Sequence, residues 1–238
     1  MPTRLRAAAM HFFRLPAVCG ALVLCCSFSS FAQSSDLACG PLDNAYGPFD
    51  YRTDRDKLSI VERFHFAPEV ESLIRGKSGR LGGDLDYTLR AFPNHHRALI
   101  AVMRYGEKLK SPQPADLPRP VECYFERALR FRPDDVIARM LYSKFLAGQT
   151  RKAEAIAQLQ LASNAAKDNG FSHYNVGLIY LELGEYEKAL VQAHRALELG
   201  YPATGLRDQL KSAGRWAEPA GVPPSAVPAD ASASNPPR

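Results

Sequence analysis

Three features of the sequence predict an all-α fold. Helix start and stop residues are dense from about Ala67 onward, where prolines and glycines punctuate segments of helical length. Apolar residues near the C-terminus recur at helical spacing, with Ala189, Ala193 and Ala196 at i, i+4 and i+7. Alternating β-branched runs, which would mark half-buried strands, are scarce. Over 238 residues, 46% hydrophobic, 10% aromatic and 23% charged content suits a globular domain with tails.

Residues 1–32 read as a signal peptide. Arg4, Arg6 and Arg14 make its positive start, residues 17–28 its apolar stretch, and Ser30 and Ala32 its small residues before cleavage ahead of Gln33. That stretch is short against the ~20 apolar residues of a bilayer span, and export, with the periplasm as destination, is the expectation. A retained anchor is one alternative. A lipoprotein on Cys19, Cys25 or Cys26 is another, although Val18, Leu24 and Cys25 precede them where a lipobox wants a small residue. Of the formal net charge of +5, three arginines lie in this segment, leaving 27 basic against 25 acidic residues. A balance so near neutral gives no electrostatic reason to expect nucleic acid as a partner.

Two cysteines follow the signal, Cys39 and Cys123. In an oxidising compartment they would pair and close a loop of about 80 residues, contributing ~4 kcal/mol. The alternative is a buried free thiol at Cys123, on an apolar helix face. Two cysteines so far apart are not a zinc pattern.

Residues 33–59, rich in Gly, Pro and Asp, read as an extended arm carrying Tyr46, Phe49 and Tyr51. Residues 60–93 then hold short helices leading into the main array. Pro68 suits a first helical position, Glu69 and Glu71 complement the helix start, and Gly76 can close the end. Asp84 is placed to cap a helix over 85–92 that Pro93 terminates. Asn94 is placed to cap the next, running to about Lys108. Four prolines make 109–120 a loop, and a helix over 121–131 ends at Pro133. The Pro, Ala and Ser composition of 217–238 predicts a disordered tail.

The segment FSHYNVGLIYLELGEYEKALVQAHRALEL, residues 171–199, resembles one tetratricopeptide repeat, a 34-residue helix-turn-helix, over nearly its full length. Gly177 sits where a small residue admits a neighbouring helix, Gly184 makes the turn, and Ala189, Ala193, Ala196 and Leu197 line the second helix. Ala193 stands where the family more often has a larger aromatic. A weaker copy lies 34 residues earlier, with Met140, Phe145, Ala157 and Leu161 apolar but Leu141 and Gln160 where small residues are expected. ECYFERALRFRP, residues 122–133, looks like the end of a third. The resemblance implies a tetratricopeptide-like α-α superhelix of about three hairpins over 94–201, and a capping helix within 202–216. Uncharacterised exported bacterial proteins of the family have a similar overall pattern.

Such arrays bind a peptide or partner protein on the wall formed by the first helix of each hairpin. The resemblance places Phe171, Tyr174, Asn175, Leu178, Leu181 and Glu182 there, with Arg139 and Tyr142 from the weaker copy. Asn175 matches an Asn that some family members use to clamp a C-terminal carboxylate, but the accompanying lysines are absent. The arm folding back into the groove is an alternative occupant. The implied role is a non-catalytic, envelope-associated adaptor or scaffold without cofactor or metal. The alternative is a small metal-dependent or hydrolytic enzyme using Asp84, His95 and His96, with Asp86 in the same segment. Adjacent histidines on a helix diverge by about 100°, which disfavours shared chelation. No nucleotide loop, zinc-protease or serine-hydrolase motif occurs.

Overall fold

Residues 39–219 are described by a computed structural model, and among them are ten helices and no strand. The fold is all-α. The expected signal peptide, the start of the arm and most of the Pro-rich tail lie outside the described residues.

The helices are α1 (Arg55–His65), α2 (Pro68–Glu71), α3 (Leu81–Ala91), α4 (His96–Leu109), α5 (Val121–Phe131), α6 (Val136–Gly148), α7 (Lys152–Ala166), α8 (Gly170–Glu182), α9 (Tyr186–Glu198) and α10 (Thr204–Ser212). Helices α6 and α7 pack along each other, as do α8 and α9. Helices α4, α6, α8 and α10 also touch in succession, so these alternate helices form a row. N-cap side chains mark the row. His95, Asp135 and Asn169 each accept a bond from the backbone N–H three residues on, satisfying a donor that a helix start leaves unpaired.

Several expected boundaries move. Helix α1 begins inside the expected arm, because Leu58 and Val61 share a face that buries against Ala91 and Phe92. Helix α3 starts at Leu81, so Asp84 lies within it rather than capping it. Its start is served from a distance: Asp116, in the proline-rich loop, accepts from Gly82 N at 2.7 Å. A Cβ on Gly82 would meet that carboxylate at 2.5 Å, which is why the position holds glycine. The cap of α4 is His95 instead of Asn94. Asn94 is instead a buried junction, accepting from Tyr51 N and donating to Asp50 and Asp135.

The weaker copy keeps the 34-residue step but puts different residues at the close contacts from those expected. Ser143 stands 34 residues before Gly177, and Ala155, Leu159 and Ala162 stand 34 before Ala189, Ala193 and Ala196; all are fully buried. Gln160 and Leu161 face solvent, and Leu141 borders a surface trough, so none of them obstructs helix contact. At Gly177 an added Cβ would meet Leu206 Cδ2 at 2.4 Å and Gln192 Cβ at 3.1 Å. The bare backbone therefore admits both α10 and α9.

Cys39 and Cys123 are joined by a disulfide spanning 84 residues. Arg127 adds a second tie, donating to the carbonyls of Cys39, Gly40 and Pro41, while Arg130 donates to Gly40 O. Beyond them Phe49 packs between Tyr46 and Phe92. Asp50 then accepts from Arg52, Asn94 and Arg132. Burial pushes the Asp50 carboxyl up, but those hydrogen bonds outweigh it and hold the group well below the ordinary carboxylate range.

Candidate functional site

A trough of about 360 Å³ runs along the exposed side of α6 and α8. Ile137, Met140, Leu141, Leu178 and Ile179 supply its apolar lining, with Phe171 at its edge. Phe171 is 56% exposed and Ile137 42%, high for side chains of this size. Ile137 and Phe171, Leu141 and Asn175, and Lys144 and Leu178 are each 34 residues apart, so equivalent positions of two helices build the walls.

The polar groups are few. Asn175 donates to Phe171 O at 2.9 Å within its own helix, and its Oδ1 has no partner among the described residues. Lys144 and Glu182 face each other at 2.6 Å, an exposed pair that contributes little to stability but places opposite charges side by side on the wall. An apolar trough with an amide and a charge pair can take a side chain or two of a peptide while bonding its backbone. It presents no nucleophile paired with a base.

Of the residues expected on this wall, Phe171, Asn175, Leu178 and Glu182 meet here. The other four do not line it. Tyr142 is buried, its ring stacked on Phe125 and its hydroxyl bonded to Glu122 at 2.7 Å. Burial, then that carboxylate, push its phenol above the ordinary tyrosine range. Arg139 is half-buried, donating to Pro133 O and Gln158 Oε1. Helical phase explains both, because Arg139 and Tyr142 stand 34 residues before His173 and Val176, which are buried. Tyr174 turns towards α10, its ring 5.1 Å from that of Tyr201, and Leu181 is half-buried against the core of α6 to α10. Sequence reasoning missed Ser172 and Ile179 on α8 and all the members on α6; Ile137, Met140, Leu141 and Lys144 stand 34 residues before Phe171, Tyr174, Asn175 and Leu178, and that step could have found them.

The described part of the arm lies elsewhere, against α1, α3 and α5, and none of its residues borders the trough. The acidic and histidine cluster is also divided. Asp84 bonds His65 at 2.8 Å, His95 bonds Glu62 at 3.2 Å, and His96 bonds Asp135 at 2.9 Å. Asp86 accepts from Arg90, Arg119 and Tyr124. Each group faces its own partner, so the four do not converge on one centre. Among the described residues, the trio of ligating types within reach of one another is Cys39, Cys123 and Glu126, and two of its atoms are joined as a disulfide. No helix among the described residues is long and apolar enough to cross a membrane.

No protein-family model, curated protein or solved structure matches the chain.

Proposed function

We propose that the chain is a non-catalytic protein-interaction module of tetratricopeptide type, an exported periplasmic adaptor or scaffold. In this reading α4/α5, α6/α7 and α8/α9 are three consecutive repeats, α10 is the capping helix, and the row from α4 to α10 is the inner wall of a superhelix. The supporting observation is the trough between α6 and α8, lined at matching positions 34 residues apart and left open by the described part of the arm. A stack that met only structural needs would not have to leave Phe171 and Ile137 exposed side by side with apolar neighbours. The occupant is an extended or helical segment of a partner protein, contributing apolar side chains to the lining and backbone groups to Asn175.

Photocrosslinking in the native cell envelope tests this. A photoreactive residue at position 171 or 137 should give the same defined adduct. One at position 191, on the far helix α9 and 61% exposed in the native chain, should not. Leu178→Asp should abolish the adduct by placing a charge in the lining. Equal adducts from all three positions, or none from the trough, would remove the proposal.

A further inference from the structure

A second cavity, of about 320 Å³, lies at the other end of the molecule between α1, α3 and the loop joining α2 to α3. Its walls are Tyr46, Ile60, Val61, Phe64 and Tyr87. Ile60 and Phe64, one turn apart on α1, are 52% and 49% exposed, so this apolar lining is open to solvent. At its edge stands His65, and nothing in the adaptor reading uses it.

That histidine is positioned from three sides. Asp84, itself buried, takes Nδ1 at 2.8 Å and is held in turn by the backbone N–H groups of Lys77 and Ser78. The imidazole stacks on Tyr87 with centroids 3.7 Å apart. Its backbone carbonyl accepts from Thr88 Oγ1 at 3.2 Å. Nδ1 is thus the ring nitrogen taken up by Asp84, and Nε2 is the one left for a ligand. Nε2 has no partner among the described residues. Ser78 Oγ, also on the lining, gives its own proton to Phe64 O at 2.6 Å, and so presents lone pairs.

We propose that this cavity binds a small aromatic molecule bearing one hydroxyl, a phenol. Its ring would lie among Tyr46, Phe64 and Tyr87, and its hydroxyl would hydrogen-bond His65 Nε2. The lining supplies aromatic and aliphatic cover, and a hydroxyl, which both donates and accepts, can pair with His65 Nε2 and Ser78 Oγ at its edge. Among the described residues, no group of three ligating side chains gathers at this cavity. The site is independent of the trough and stands or falls separately.

Titrating the full mature chain with 4-methylphenol and, in parallel, toluene tests the proposal, with long-range ¹H–¹⁵N spectra of the imidazoles as readout. Saturable binding of 4-methylphenol is expected, with movement of the His65 Nε2 signal and an affinity about three- to tenfold above that for toluene, the value of one hydrogen bond. His65→Phe, which keeps a stacking ring, should erase the preference. Ile60→Glu, on the exposed wall and away from the His65–Asp84 pair, should weaken both ligands without perturbing the fold. Equal affinity for the two compounds, an unmoved His65 signal, or no saturable binding to the native chain would overturn it.

Discussion

From α6 to α10 the helices meet through small side chains, whereas from the arm to α5 they are tied by polar groups drawn from distant segments. In the first region Ala155, Ala162, Gly177, Ala189, Ala193 and Ala196 are fully buried, and close backbone approach supplies the contact. In the second, Asp50, Asn94, Arg132 and Asp135 make one junction, Asp86, Arg119 and Tyr124 another, and a disulfide with Arg127 anchors the arm. A regular stack repeats one packing solution and needs few specific partners. An irregular end, with a proline-rich loop and a non-helical arm, places backbone and charge in the interior, and each such group requires a named partner.

The largest effect expected from this contrast comes from the disulfide. Cys39→Ser with Cys123→Ser should lower unfolding free energy by about 4 kcal/mol, the scale for a loop of this length. Amide exchange should accelerate in α1 and α3 while α8 and α9 keep most of their protection. Uniform loss across all helices would show that the two regions unfold as one.

Gly177→Val probes the other side. Its Cβ would enter space held by Leu206 and Gln192, both buried, at a cost of about 2 kcal/mol in denaturant unfolding. Exchange should rise first in α8 to α10. Protection lost equally in the arm region would contradict the division.

The smallest effect is a pH slope. Burial lowers the His95 pKa against the opposing pull of Glu62, so the folded state holds the ring neutral while the unfolded chain takes up a proton below about pH 6.5. Below that pH the unfolded state binds more protons, and stability should fall with acidity by up to about 1 kcal/mol per pH unit from this group. His95→Asn keeps a cap for Ala98 N and removes the titration. Its stability should change less between about pH 7 and 5, whatever its absolute value. An unchanged slope would place the acid sensitivity elsewhere in the polar region.

How much of the site was readable follows the same division. Phe171, Asn175, Leu178 and Glu182 were legible because they lie in the segment whose glycines and alanines announce helical phase. Arg139 and Tyr142 were misplaced because the preceding segment carries Ser143 where the clearer copy has Gly177, and without that marker the phase slipped. His65 gave no signal at all, since its partner Asp84 is 19 residues away and the two meet only across α1 and α3.

The amino-acid pattern alone determined the helical class, the bounds of α5 and the turn at Gly184, because these rest on propensity, capping and periodicity within a few residues. Tertiary structure decided the rest: that Asp116 serves the start of α3, that Asn94 joins two carboxylates instead of capping, and that the described arm lies against α1, α3 and α5 and leaves the trough open. Those outcomes depend on which distant polar group reaches a buried donor first. Local sequence holds no record of such distances.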